Sequence, residues 1–285
     1  MAELIKADGG VVHYDVTGAS GQAFVLIEGL GAHLIAWRHE LYGRLVEAGH
    51  LVVRLDNRDV GLSQRYPTGD YTMADFATDT HELIQHLGVG PAHIVGQSMG
   101  GVIAQHLAVE HPEDVASLCL LYTTPSAGFI DPAKGVESLR AAPRPQSREE
   151  AIAVHIASER VCASRDFSFD ETWKRELGGL MWDRGSDPEG VVRQGQALFA
   201  DQADLEALAR VDVPVLIVHG TADAVIDHEA SRQLHNAMPG SDLWLVEGMG
   251  HDLPLELLPT LAERILGNAR RLDRWTGDGE PLSIA

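Results

Sequence analysis

Short apolar runs alternate with longer amphipathic segments along most of this 285-residue chain. Runs with the length and composition of buried strands occupy residues 11–17, 24–28, 51–55, 93–96, 115–122, 213–219 and 243–246. Segments with helical spacing of apolar residues occupy 37–48, 73–87, 99–110, 228–237 and 254–266. Short buried strands that alternate with helices are typical of a mostly parallel sheet with helices on both faces. The pattern therefore predicts an α/β fold.

The alternation stops after residue 125 and resumes near residue 210. The segment between them has no strong strand pattern, but it has several amphipathic stretches and is rich in proline. We therefore expect a core made of 1–125 and 210–267, with a helical cap (lid) inserted at 126–209. Residues 268–285 are polar and contain glycine, and we expect a C-terminal tail that is partly disordered.

Composition and charge exclude several classes of partner. The net charge is −20, from 22 basic and 42 acidic residues, which argues against binding to nucleic acid or an anionic membrane. No segment approaches the ~18 consecutive apolar residues of a membrane span, and the N-terminus lacks a secretory pattern. Cys119 lies in an apolar run, so this thiol and that of Cys162 are expected to be free. We expect a cytoplasmic monomer or homodimer that acts on a small molecule.

The motif that carries chemistry is Gly96-Gln97-Ser98-Met99-Gly100. A G-x-S-x-G pattern alone is only moderately specific, but here the serine directly follows an apolar strand and opens a helix. That setting is typical of a nucleophile elbow, in which small glycines allow a strained turn. The alternative, a serine that merely caps a helix in a nucleotide-binding fold, lacks the second glycine fingerprint and the downstream acid that such folds carry. Ser98 is the candidate nucleophile.

A serine hydroxyl needs a base to accept its proton, and the base needs an acid to orient it. Among 14 histidines, His251 is the best candidate, because it lies in a loop between the last expected strand and the last helix. Asp223 follows the strand at 213–219 and is the candidate acid. Asp227 is interpreted as a helix cap, and Asp252 is poorly placed to reach the ring of its neighbour. The order Ser98, Asp223, His251 is the one expected for a hydrolase with a nucleophile elbow.

Two backbone amides are expected to stabilise an oxyanion. One is the N–H of Met99, directly after the nucleophile, and the other is the N–H of Leu30, in the glycine-rich turn after the strand at 24–28. Glu28 precedes this turn, and a carboxylate aimed at a developing oxyanion would be unfavourable. We therefore expect Glu28 to face away, or to be paired or protonated.

These motifs resemble those of α/β hydrolases over nearly the whole chain up to Gly267. The resemblance rests on the serine motif, on segments 219–223 and 248–251, and on 56–63, which is similar to the family's D-x-R-G-x-G-x-S turn with Asp59 replacing a glycine. That replacement, with the turn at 29–32 and Trp37, is similar to bacterial esterases such as the aclacinomycin methylesterases. The resemblance implies the α/β-hydrolase fold and hydrolysis of a carboxylic ester without a metal or an organic cofactor. Dehalogenases and epoxide hydrolases are disfavoured, because they carry aspartate where Ser98 stands.

The expected activity is that of a serine hydrolase that cleaves an ester, such as a lactone or the methyl ester of a natural product, through an acyl-enzyme. Residues expected to line the substrate pocket are Gly29, Phe129, Met181 and Trp182. Three alternatives stay open at this stage: a carbon–carbon bond hydrolase or a cofactor-free perhydrolase on the same triad, and a non-catalytic receptor that binds a small molecule.

Overall fold

The computed structural model of the chain describes residues 2–275. Its sheet contains the following eight strands: β1 Ala2–Ile5, β2 Val11–Thr17, β3 Ala23–Ile27, β4 Leu51–Leu55, β5 Ala92–Gln97, β6 Val115–Leu121, β7 Val215–Gly220 and β8 Asp242–Val246. Their order is β1-β2-β4-β3-β5-β6-β7-β8. The strands from β4 to β8 pair in parallel, whereas β1 and β2 form an antiparallel edge that pairs with β4. The expected α/β fold is confirmed; β1 is the strand that the sequence pattern did not predict.

Helices cover both faces of this sheet. Those of the described chain are α1 His39–Glu47, α2 Met73–Leu87, α3 Met99–Glu110, α4 Val136–Ala141, α5 Arg148–Cys162, α6 Glu171–Asp183, α7 Pro188–Ala200, α8 Leu205–Leu208, α9 Glu229–Ala237 and α10 Leu258–Trp275. Strand β3 shows why both faces need cover, because Val25 and Ile27 pack in one apolar cluster while Phe24 and Leu26 pack in another. Successive side chains of a strand point to opposite faces, so a strand that is apolar throughout must be buried on both.

Helices α4 to α7 lie between β6 and β7, within the segment expected to form an insertion. Two of them, α6 and α7, are tied to the loop after β4 by charged contacts. The guanidinium of Arg193 on α7 binds both carboxylate oxygens of Asp59 at 2.9 Å, and Arg184 binds Asp56 at 2.5 Å. The backbone of Asp59 has a φ of 70°, which accounts for glycine being the usual residue there. In this chain Asp59 instead supplies an anion that holds helix α7 to the loop after β4.

The C-terminal boundary differs from the expected one. Helix α10 continues past Gly267 to Trp275, so the first part of the tail expected at 268–285 is helical. Asn268 donates its side-chain amide to the carbonyl oxygens of Leu118 and Pro214, at 3.1 and 3.3 Å, and Ala269 is buried. These contacts with the sheet extend the helix. The polar composition of residues 268–285 did not predict them. Residues 276–285 lie outside the described residues.

Two further expectations concern the thiols and the membrane. Cys119 is buried and Cys162 is partly buried, and both are free thiols. No helix within residues 2–275 has both the length and the apolar character needed to cross a membrane.

Candidate active site

Ser98 occupies a sharp turn between β5 and α3. Its backbone has φ 53° and ψ −122°, a conformation that a residue with a side chain rarely adopts. The turn is tight, because a Cβ added to Gly96 would lie 2.2 Å from the carbonyl oxygen of Gly100, and one added to Gly100 would lie 2.2 Å from that of Ile27. Only glycine fits at these two positions. The strained turn presents the serine hydroxyl above the end of the sheet, as in a nucleophile elbow.

A chain of hydrogen bonds joins Ser98, His251 and Asp223. The Oγ of Ser98 lies 2.9 Å from Nε2 of His251, and Nδ1 of the same ring lies 2.7 Å from Oδ2 of Asp223. The three side chains come from the segments that follow β5, β8 and β7. The backbone N–H of His251 donates to the carbonyl oxygen of Cys162 at 2.8 Å, which ties its loop to the end of α5. The residues that the sequence singled out as nucleophile, base and acid are thus brought into one line.

The carboxylate of Asp223 is buried and held from several directions. Its Oδ1 accepts the backbone N–H groups of Val225 and Ile226 at 2.8 and 2.9 Å. Burial opposes ionisation of Asp223, but the charge of His251 and hydrogen bonds from His219 and His251 outweigh it, so the pKa of this carboxyl lies well below its usual range. Asp223 therefore stays an anion that can orient the imidazole and stabilise its charged form.

His219 makes a contact with the candidate acid that the sequence reasoning did not predict. Its Nε2 lies 3.1 Å from Oδ2 of Asp223 and 3.1 Å from the carbonyl oxygen of Ile226. Both neighbours are acceptors, so this nitrogen carries a proton, and Nδ1 lies 2.6 Å from the hydroxyl of Ser231. The sequence feature that could have predicted this contact is the spacing, because His219 precedes the candidate acid by four residues, across the turn at the end of β7.

The other two acids behave as the sequence indicated. Asp227 is exposed, and its Oδ1 accepts the backbone N–H of Glu229 at 3.0 Å, at the start of α9. Asp252 accepts a hydrogen bond from the hydroxyl of Ser164 at 2.5 Å, and burial raises the pKa of this carboxyl. Neither carboxylate is bonded to the ring of His251.

The amide of Leu30 belongs to the turn beside Ser98, and the amide of Met99 directly follows Ser98 in the chain. A Cβ added to Gly29 would lie 3.2 Å from Cβ and 3.7 Å from Oγ of Ser98, so the turn that carries Leu30 runs alongside the nucleophile. Met99 is the first residue of α3, and the first N–H groups of a helix have no partner within it. Within residues 2–275, neither amide has a hydrogen-bond acceptor. Both donors are therefore free to bind an oxygen of a ligand.

Glu28 is fully buried beside these groups and lines the same cavity as Ser98. Its Oε2 accepts the backbone N–H of Gly29 at 3.2 Å and the side-chain amide of Gln97. The hydroxyl of Tyr122 donates to the carbonyl oxygen of the same Gln97, and the Tyr122 ring packs edge-on against His251, with ring centroids 4.8 Å apart. Burial raises the pKa of Glu28 to about 8, although the hydrogen bonds from Gln97 and Gly29 oppose this. Of the outcomes expected for Glu28, the structure shows a carboxyl that is paired with Gly29 and Gln97, and its raised pKa favours the protonated form at neutral pH.

The cavity above Ser98 has a volume of about 480 Å³ and also contains His251. Four of its charged side chains form two ion pairs, Arg38 with Asp170 at 2.9 Å and Lys174 with Glu159, and the side chains of Lys134 and Asp252 also line the wall. Apolar side chains line much of the remaining wall, among them Ile130, Leu139, Leu198, Phe199, Val225 and Ile226.

The expected pocket residues are only partly assembled here. Gly29 lies on the wall of this cavity, whereas Met181 and Trp182 line a neighbouring cavity of about 280 Å³. The expectation for Phe129 is wrong, because this residue lines neither cavity and its side chain packs against the main core. Packing decides which face of a helix or turn points to a cavity, so the apolar composition of these segments did not predict which residues line it.

Comparison with known proteins identifies the family. A model of the alpha/beta hydrolase fold matches residues 22–256. Rhodomycin D methylesterase DnrP from Streptomyces peucetius is 30% identical over 274 residues, covering 86% of this chain and 90% of that protein. A 2-hydroxy-6-oxononadienedioate/2-hydroxy-6-oxononatrienedioate hydrolase from Burkholderia vietnamiensis is 28% identical, covering 84% of this chain and 84% of that protein. Among solved structures, the esterase RhEst1 from Rhodococcus sp. ECU1013 has a TM-score of 0.78 at 24% identity and covers 95% of this chain and 98% of its own.

The matched region begins just before β3, the first strand that pairs in parallel, and extends past the loop that carries His251. It therefore includes both the parallel sheet and the hydrogen-bonded line from Ser98 to Asp223. The chain belongs to the alpha/beta hydrolase fold family.

Proposed function

We propose that this protein hydrolyses carboxylic esters through an acyl-enzyme formed on Ser98. The observation that carries the proposal is the unbroken hydrogen-bonded line from Ser98 through His251 to the buried anion of Asp223. The line opens into a cavity large enough for an organic substrate.

In the first half of the reaction, Nε2 of His251 accepts the proton of Ser98 as Oγ forms a bond to the ester carbonyl carbon. The carbonyl oxygen becomes an anion and accepts hydrogen bonds from the amides of Leu30 and Met99. The protonated imidazole is stabilised by Asp223. It then gives its proton to the leaving alcohol as the carbon–oxygen bond breaks, which leaves an ester of Ser98.

In the second half, His251 accepts a proton from water as the water oxygen attacks the acyl carbon. The same two amides bind the second oxyanion, and the imidazole returns its proton to Oγ of Ser98 as the acid leaves. Each proton and electron pair is accounted for by these side chains, the two amides and one water.

The walls of the cavity support an uncharged substrate. Four of its charged side chains are paired with each other, and burial raises the pKa of Glu28 to about 8, which favours its neutral form at pH 7. A neutral ester loses little hydration on entering such a site, whereas an unpaired ion would lose much more. The relative named as a rhodomycin D methylesterase favours the methyl ester of a natural product, and a lactone is the cyclic form of the same substrate class.

Cleavage of a carbon–carbon bond is the second candidate, because one relative is named as a 2-hydroxy-6-oxononadienedioate hydrolase. Side-by-side assays of methyl esters, lactones, a vinylogous diketone and peracid formation would rank these activities. The ester proposal expects the highest kcat/KM with an ester or lactone, and a clear preference for the diketone or for peracid formation would refute it.

The decisive test replaces Ser98 with alanine and measures the hydrolysis of p-nitrophenyl acetate. Loss of the nucleophile of a triad lowers kcat by about 10⁴- to 10⁶-fold. The matched control is Ser20→Ala, because Ser20 is exposed in the loop between β2 and β3. Wild-type turnover by a folded Ser98→Ala protein would contradict the mechanism. A fluorophosphonate should label the wild type and the control but not Ser98→Ala, whereas an unlabelled wild type would favour a receptor.

A further inference from the structure

A second cavity, of about 280 Å³, adjoins the one that holds Ser98. The two share a wall to which the turn after β3 and helices α5, α6 and α7 contribute, through Leu30, Ser158, Leu177 and Val191. Leu30 is the residue whose amide is proposed to bind the oxyanion. The second cavity is therefore next to the reacting atoms, on the far side of the turn that binds the substrate carbonyl.

Two histidines line this second cavity, and each has hydrogen-bonding capacity that the described chain does not use. His33 follows the turn after β3 and is 3% exposed, and no partner is found within residues 2–275 for its Nδ1. His155 lies on α5, and its Nε2 is likewise buried without a partner there. A buried polar atom without a hydrogen bond costs free energy, so a site that retains two of them calls for an explanation.

Both imidazoles are neutral at physiological pH. Burial lowers the pKa of His33 to about 4, and burial is also the main cause that lowers the pKa of His155. A neutral imidazole has one donor and one acceptor nitrogen, so it pairs well with a hydroxyl group and does not attract an anion strongly. The other walls are largely apolar and include Met181 and Trp182, and each of the charged side chains on them has an ion-pair partner. This combination suits a flat or alicyclic ring that carries a hydroxyl group.

We propose that the second cavity is a binding subsite for a hydroxylated ring in the larger portion of the ester substrate, with His33 and His155 as its hydrogen-bonding residues. This inference rests on the proposed ester hydrolysis and names a substrate class for it: an uncharged ester whose ring lies beyond the Ser98 cavity. A hydroxyl on that ring would supply the partner that the imidazoles lack.

The test uses a pair of substrates that differ in one hydroxyl group, methyl 4-(6-hydroxy-2-naphthyl)butanoate and methyl 4-(2-naphthyl)butanoate. One hydrogen bond to a buried neutral partner gives the wild type a preference of about tenfold in kcat/KM for the hydroxylated ester. In His155→Phe, which keeps a ring of similar size but has no ring nitrogen, the preference should fall to about threefold, because only His33 is left to bond the hydroxyl group. An equal preference in wild type and His155→Phe would overturn the assignment of the histidine.

A second variant, Ala151→Phe, tests the cavity itself, because Ala151 on α5 lines the second cavity and not the first. Filling the space should lower kcat/KM for both naphthyl esters at least about tenfold more than for p-nitrophenyl acetate, since overpacking excludes the ring. Ala48→Phe is the control, because Ala48 is exposed at the end of α1 and lines neither cavity. Equal losses for all three esters would refute the subsite.

Binding to the unreactive Ser98→Ala protein separates this inference from the proposed function. Fluorescence titration with 2,6-dihydroxynaphthalene should show saturable binding that Ala151→Phe abolishes in the same background. Binding without any ester hydrolysis by the wild type would leave the subsite standing and refute the proposed function. Ester hydrolysis without this binding would refute the subsite alone.

Discussion

Replacing Glu28 with glutamine tests how the protein tolerates a buried carboxyl beside its candidate active site. The substitution is nearly isosteric. The glutamine oxygen can accept the hydrogen bonds that Oε2 now accepts from Gly29 and Gln97, and the new amide nitrogen takes the place of Oε1, which has no partner within residues 2–275. The variant therefore imitates the protonated form of Glu28 and removes only its ability to ionise.

The expected change in stability follows from the difference between the pKa of Glu28 in the unfolded chain and its pKa in the folded protein. Burial raises the pKa of Glu28 from 4.5 to about 8, so the unfolded chain releases this proton at a lower pH than the folded protein does. Between those two pH values the folded state binds more protons, and its stability falls by about 1.4 kcal/mol for each pH unit. The loss of stability caused by burying Glu28 grows from about 1 kcal/mol at pH 5 to about 4 kcal/mol at pH 8, and it stays constant above the pKa of the folded state.

The assay is urea unfolding of wild type and Glu28→Gln at pH 5, 6, 7 and 8. The two proteins should differ little at pH 5, and the free energy of unfolding should favour Glu28→Gln by about 3 kcal/mol more at pH 8 than at pH 5. Glu47→Gln is the control, because Glu47 is exposed at the end of α1 and its neutralisation should not change the slope with pH. Parallel curves for wild type and Glu28→Gln would refute the argument that Glu28 is neutral in the folded protein.

Three further substitutions test the contacts around the site and the inserted helices. Asp223→Asn should lower kcat by about 10⁴-fold with a small change in KM, because the imidazole loses the anion that holds its tautomer; retention of activity within tenfold would contradict the role of Asp223. His219→Gln should lower kcat by about tenfold at 25 °C, because His219 positions Asp223 and touches no reacting atom; an unchanged kcat would show that this hydrogen bond is dispensable. Asp59→Asn should lower the free energy of unfolding, measured in urea, by about 2 to 3 kcal/mol, because Arg193 loses a bidentate partner but keeps Asp187 and some exposure to water. A decrease below about 0.5 kcal/mol, the detection limit of the assay, would contradict the role of Asp59 in holding α7.

The sequence alone was sufficient to predict the fold and the three residues that form the hydrogen-bonded line. Apolar runs of strand length and the glycines of the elbow are local signals, and local signals suffice where the backbone itself dictates the structure. Ser98 lies at a turn that only its glycine neighbours allow. Asp223 and His251 follow strands, and the carboxyl ends of parallel strands meet at one edge of the sheet. Their order along the chain therefore predicted their meeting in space.

Tertiary structure alone decided the rest, because those properties depend on what packs against a side chain. Burial raises the pKa of Glu28 to about 8, whereas the sequence alone left several outcomes open for this carboxyl. His219 joins the candidate triad through a turn whose shape is set by the contacts of β7 and α9. The rotation of α6 turns Met181 and Trp182 toward the second cavity, and contacts with the sheet carry α10 beyond the expected boundary. Rotation of a helix and burial of an acid are set by residues far away in the chain, so no local pattern encodes them.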